Sequence, residues 1–136
     1  MTAVQGQTHA ALGAAELALV ASGTATVEAA LLGTPMVVVY RVSPLTYVLG
    51  RPFVRVPHFA MVNLIAERRV VPELIQADFT AERVAQETLG LLEDPGRLAR
   101  LREELLVVRH RLGEPGASAR AALALKEELE VKLEKP

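Results

Sequence analysis

Residues 22–35, Ser22-Gly23-Thr24-Ala25-Thr26-Val27-Glu28-Ala29-Ala30-Leu31-Leu32-Gly33-Thr34-Pro35, decide how this chain is read. An apolar run, Leu17–Ala21, precedes them, and a second, Met36–Tyr40, follows. The order is strand, glycine-containing turn, helix, Gly-Thr-Pro stop, strand. Neither apolar run alternates with polar residues, which is the pattern of parallel strands covered on both faces. The second is rich in β-branched valine, a strand former. The stretch therefore predicts an α/β fold with a helix over Thr24–Leu32 that stops at Gly33 and Pro35. In such sheets ligands bind beyond the carboxyl ends of the strands. The first amides of the following helix lack partners and favour an anion such as a phosphate. Gly23 allows close backbone approach, and Glu28, one turn into the helix, is placed to accept hydrogen bonds from a sugar hydroxyl. Ser22 and Thr24 are equally candidates for a helix cap, and Glu28 for an acid that complements the helix dipole. The stretch reads as part of a nucleotide-binding domain.

The composition narrows the class. With 136 residues, of which 51% are apolar, the chain can build one core. A formal net charge of −1 gives no reason to expect nucleic-acid binding. The absence of cysteine excludes disulfides, thiol nucleophiles and thiolate metal sites, and is compatible with a reducing cytoplasm. The N-terminus lacks a basic stretch followed by an apolar run, so no secretory leader is expected. No apolar run approaches the roughly 18 residues of a membrane span. His9, His58 and His110 are widely spaced and Asp78 and Asp94 are the only aspartates, so no metal site is expected. Between Arg41 and Arg69, arginines 41, 51, 55, 68 and 69 face one acid, Glu67, among many apolar residues. Such a segment suits peripheral contact with an anionic membrane, and equally a loop with solvated arginines.

Thr8–Glu16 predicts a short helix capped by Thr8. Ser43-Pro44 predicts a helix start, Pro52 and Pro57 bracket a short extended piece over 53–56, and Asn63–Arg68 predicts a helical turn. Pro72 argues against a central strand over 70–74. Thr80 caps a predicted helix to Leu92 with Val84, Thr88 and Leu91 on one face. Asp94-Pro95 starts a longer one whose Leu98, Leu101, Leu105, Val108 and Leu112 form an apolar stripe, ended by Gly113–Gly116. A last helix from Ala117 is expected to turn Ala122, Leu125, Leu129 and Leu133 inward. Two or three parallel strands do not cover their own edges, and exposed edges of such apolar strands invite pairing with another chain. The reading is a fragment, or a chain that completes itself by homo-oligomerisation through swapping.

The run from Val20 to Arg41 resembles lipid-A-disaccharide synthase. The match continues through Val42-Ser43-Pro44-Leu45-Thr46-Tyr47, Val62-Asn63-Leu64-Ile65-Ala66 and Val71-Pro72-Glu73-Leu74-Ile75-Gln76. Two positions depart: Val62, where the family commonly has proline before the asparagine, and Glu67, where it has glycine after the alanine. The resemblance implies a two-domain GT-B glycosyltransferase that moves a diacylated glucosamine from UDP to a diacylated glucosamine 1-phosphate. It implies that residues 1–136 are the carboxyl-terminal part of the donor-binding domain, an incomplete Rossmann-like unit. Ser22, Gly23 and Thr24 would face the diphosphate, Glu28 the ribose, and Asn63 would lie close to the donor site. Glu73 and Gln76 belong to a further shared block. Arg41, just past a strand's carboxyl end, is a candidate ligand contact or a surface arginine. No cofactor or metal is implied; helix-end amides and basic side chains would stabilise the departing UDP. The catalytic base is expected in the absent amino-terminal acceptor domain, so the chain alone is expected to be inactive. Other readings are a different UDP-sugar GT-B enzyme, or a non-catalytic nucleotide-binding or self-associating module.

Overall fold

The computed structural model describes residues 2–43 and 57–133, with side chains described as far as residue 129. The expected helix start at Ser43-Pro44, the extended piece over 53–56, and Arg51 and Arg55 fall wholly or partly outside these residues. In chain order the elements are α1 (Thr8–Ala14), β1 (Ala18–Ala21), α2 (Thr24–Leu31), β2 (Met36–Tyr40), α3 (Met61–Ala66) and β3 (Glu73–Ile75). A 3-10 turn (Gln76–Asp78), α4 (Ala81–Leu92), α5 (Pro95–Leu112) and α6 (Ala117–Leu133) complete it. The strands form one parallel sheet in the order β1-β2-β3. This is an α/β fold, a partial Rossmann-like unit with a helical carboxyl-terminal region.

β2 is the centre of the core. Met36, Val37 and Val38 are fully buried, because β2 has a strand on each side and helices packed on it, α2 and α4 among them. The register sets Ala18–Ala21 opposite Met36–Val39, and Val38–Tyr40 opposite Glu73–Ile75. α5 packs on α2, α3 and α4 through Leu98, Leu101, Leu105 and Val108, all buried. This four-residue stripe at spacings of three and four is the amphipathic pattern read from the sequence. Leu112, the fifth member, is 38% exposed and falls outside it.

Two expectations about burial need correction. β1 was expected to be covered on both faces, yet Leu19 is 54% exposed while Val20 is buried. Among the described residues β1 lies at the edge of the sheet with β2 as its one strand neighbour, so its apolar composition does not translate into burial. α6 was expected to turn Leu125 and Leu129 inward, but they are 66% and 60% exposed. Every described side chain of this helix is exposed; its leucines are not matched to a face of the core.

The helix ends follow local chemistry. Thr80 Oγ1 accepts from Arg83 N at α4, and Asp94 Oδ1 accepts from Arg97 N at α5, with Pro95 in the first turn. Hydrogen bonds from its own backbone amide and from Thr80 hold the exposed Glu82 carboxyl below the usual range. α1 departs from expectation: its N-cap is Gln7, with no side-chain cap, and Thr8 already lies within the helix. Pro72 stands just before β3, where its missing N–H costs no ladder bond, and its carbonyl accepts from Val38 N at 2.9 Å. Among the described residues no helix is long and apolar enough to cross a membrane.

These burial differences separate residues that look alike in the sequence. Leu105→Ala is expected to lower unfolding stability by about 2–5 kcal/mol, the range for emptying a packed leucine site. Leu125→Ala is expected to stay within about 0.5 kcal/mol. Urea unfolding of both variants measures the contrast.

Candidate functional site

The three strands end at one edge, and the residues that leave them meet there. Ser22 follows β1, Arg41 follows β2 and Gln76 follows β3. Ser22 N bonds to Val39 O at 3.1 Å, which prolongs the β1–β2 ladder by one step. Gly23 then takes φ +149° and ψ −162°, a backbone conformation essentially reserved for glycine. A Cβ at Gly23 would meet no atom of the described residues within 4 Å, so among them the space above this peptide is open. Thr24 opens α2 with its side chain exposed. Thr26, fully buried, ties the turn by donating from Oγ1 to Gly23 O at 2.8 Å. Neither Ser22 nor Thr24 caps the helix: the N-cap is Gly23, and Ser22 Oγ instead donates to Phe59 O at 2.8 Å. Among the described residues, the first-turn amides of α2 are thus left without a capping side chain.

Glu28 lies one turn along α2 with its side chain 40% exposed. His9 Nε2 of α1 approaches Glu28 Oε2 to 4.0 Å. In sequence His9 has no partner; the tertiary fold supplies one. Thr34 Oγ1 donates to Leu12 O at 2.9 Å and fastens α1 beside the α2–β2 turn.

Asn63 and Glu73 form a clip. Asn63 is fully buried, and both ends of its carboxamide are used. Oδ1 accepts from Val70 N at 2.8 Å and Val71 N at 2.9 Å; Nδ2 donates to Val71 O at 3.0 Å and Glu73 Oε1 at 2.7 Å. Two donors and two acceptor positions are all a carboxamide has. No polar atom of Asn63 faces outward, so its part in any site is to hold the neighbouring backbone. Glu73 spends its other contacts on Phe59 N at 3.1 Å and Ala60 N at 3.0 Å. The N-cap of α3 is Ala60, which has no capping side chain of its own; Glu73 instead holds the two amides that lead into the helix.

Arg41 and Gln76 form a second fastening. Gln76 Oε1 accepts from Val42 N at 2.8 Å and Nε2 donates to Val42 O at 3.4 Å, so the side-chain amide acts as an extra peptide beside β2. Gln76 itself is left-handed, φ +54°. Arg41 Nη2 donates to Gln76 O at 3.3 Å and to Phe79 O, with its guanidinium 5.2 Å from the Phe79 ring centre. The structure thus brings Ser22, Gly23, Thr24 and Glu28 together along α2, and turns Arg41 toward the 76–79 segment. The Asn63–Glu73 pairing had no signal in sequence beyond two polar residues ten apart beside apolar runs.

The sequence profile of the family described as lipid-A-disaccharide synthetase matches residues 1–127. The chain belongs to the lipid-A-disaccharide synthase family. It is 48% identical over 120 residues to the lipid-A-disaccharide synthase of Syntrophus aciditrophicus, covering 88% of this chain and 31% of that protein. It is 55% identical over 111 residues to that of Acidobacterium capsulatum (82% and 28%), and 47% over 128 residues to that of Solibacter usitatus (93% and 34%). The chain therefore spans about a third of the length of the lipid-A-disaccharide synthases it matches.

The two departures from the lipid-A-disaccharide synthase pattern have visible structural settings. Val62 is the second residue of α3 and is fully buried; proline is also tolerated in a first helical turn, so either residue fits. Glu67 ends α3 in the left-handed region, φ +57° and ψ +19°, with its side chain 85% exposed. Glycine takes this conformation without the Cβ clash that costs an L-residue about 1–2 kcal/mol.

Two substitutions follow. Asn63→Ala strands the Val70 and Val71 amides and should destabilise the fold at about 1–3 kcal/mol for each. Glu67→Gly should stabilise it by roughly 1 kcal/mol. Thermal and urea unfolding of the two variants should move in opposite directions.

Proposed function

We propose that this chain is part of the donor-binding half of a lipid-A-disaccharide synthase. The whole protein would transfer a diacylated glucosamine from UDP to a diacylated glucosamine 1-phosphate, and Ser22, Gly23, Thr24 and Glu28 would hold the UDP. The observation that carries this reading is the turn at the carboxyl end of β1. An open glycine peptide, uncapped α2 amides and a half-exposed carboxylate one turn away share one helix. Amides at a helix start favour a diphosphate, and an ionised carboxylate accepts from paired ribose hydroxyls. Asn63, Glu73 and Gln76 act through the backbone they fasten, and Arg41 borders the site from β2. The catalytic base and the acceptor pocket would lie outside residues 1–136, and catalysis would need them closed over the donor. The protein would work in the cytoplasm, peripheral to the inner membrane where both lipid substrates reside.

A second reading, self-association or swapping, is favoured by the free edge of β1 and the exposed Leu123, Leu125 and Leu129 of α6. It is compatible with donor binding and makes solution mass a useful companion measurement.

Calorimetric titration of UDP into the 136-residue chain and its Glu28→Ala variant tests the proposal. The expected outcome is saturable binding that the substitution weakens by about 1–3 kcal/mol, the usual worth of a hydrogen bond to a charged group. Binding equal in both, or none in a folded chain, would remove Glu28 from the site.

A further inference from the structure

The turn at Ser22–Thr24 occupies the carboxyl edge of the sheet. A second concave site lies toward its amino edge. α3 starts beside Ser22, to which Phe59 is bonded, and its chain returns through residues 67–72 to enter β3 at its first residue. A cleft of about 410 Å³ opens where this return passes α4 and α5. Its charged wall is Arg68 and Arg69 from the return, Arg97, Arg100 and Glu104 from α5, and Glu87 from α4. The buried Pro72 and Leu101 also line it.

Four guanidiniums and two carboxylates leave an excess of positive charge, and the pairing shows where it sits. Glu104 is bonded to Arg68. Glu87 faces Arg97 at 3.4 Å. These pairs neutralise one another and splint two of the arginines. Arg69 has one long hydrogen bond, 3.4 Å to the neutral Glu73 carbonyl. Arg100 makes no ion pair with a carboxylate among the described residues. Two guanidiniums thus border one cleft without a neutralising carboxylate.

We infer that the cleft bordered by Arg69 and Arg100 binds a phosphate group. Guanidinium forks match phosphate oxygens in pairs of parallel hydrogen bonds, and a tetrahedral anion has enough oxygens to take more than one fork at once. A planar carboxylate is filled by one. The volume falls within the roughly 300–1,000 Å³ of small-molecule sites, so the phosphate can be free or carried on a larger molecule. This site is separate from the proposed donor turn: no residue of the 22–28 segment lines it.

The test uses two probes on the 136-residue chain. Inorganic phosphate is titrated calorimetrically, and vesicles of phosphatidylglycerol or of phosphatidylcholine alone are cosedimented with the protein. Arg100→Gln and Arg69→Gln are compared with Arg120→Gln, a substitution on α6. All three side chains are solvent-exposed, and melting temperatures without ligand check that each variant folds. Saturable phosphate binding, weakened about tenfold or more by Arg100→Gln and by Arg69→Gln and unchanged in Arg120→Gln, supports a site for free phosphates. Binding only to phosphatidylglycerol vesicles, lost in the same two variants, supports a lipid headgroup as the source. No binding to either probe, or binding that Arg100→Gln and Arg69→Gln leave unchanged in folded protein, overturns the inference.

Discussion

The buried carboxamide of Asn63 is the constraint on which the arrangement of this chain depends. It has no access to water, so each of its donors and acceptors must be met inside the protein or cost free energy. All are met by the segment that leads into β3 and by Glu73 at its start. Glu73 in turn holds the amides at the start of α3, and Phe59, one of the residues it holds, accepts from Ser22. A single connected set of hydrogen bonds therefore runs from the third strand, through α3, to the turn after the first strand. The position of that turn therefore depends on residues some fifty positions away in sequence.

The charged residues divide by what they are bonded to. Arg41 stands where a ligand contact would be expected, but it is engaged by two carbonyls and the Phe79 ring. Arg68 and Arg97 are engaged by glutamates, while among the described residues Arg69 and Arg100 are not. Arginine count between residues 41 and 69 is therefore a poor guide to function, whereas pairing discriminates. The backbone carries a similar distinction. Gly23 and Glu67 both have positive φ, but Gly23 stands at the carboxyl edge, where no described residue lies within 4 Å of a Cβ built on it. Glu67 closes a helix, and its side chain points to solvent.

Much of the fold was legible from local chemistry. The apolar runs, the glycine-proline stop after α2, the Thr80 and Asp94 caps and the leucine stripe of α5 each rest on short-range rules that hold whatever surrounds them. The readings that failed concern helix caps and burial: Thr8 lies inside α1, neither Ser22 nor Thr24 caps α2, and apolar residues of β1 and α6 stay exposed. Leu19 and Leu125 are as apolar as Val38 and Leu105, but burial belongs to the pair of surfaces in contact and not to one residue. Among the described residues β1 has one strand neighbour and α6 presents only exposed side chains, so Leu19, Leu125 and Leu129 stay open.

The candidate site divides in the same way. By itself the sequence determined the strand-turn-helix unit, because a glycine between an apolar strand and a helix is a local backbone requirement, and it placed Glu28 one helical turn from that glycine. Only the tertiary structure decided that Asn63 is a buried clip, that Glu73 holds the amides of Phe59 and Ala60 ahead of α3, that Gln76 stands in for a peptide beside β2, and that His9 faces Glu28. Hydrogen bonds between distant segments depend on register and packing, and no spacing along the chain encodes them.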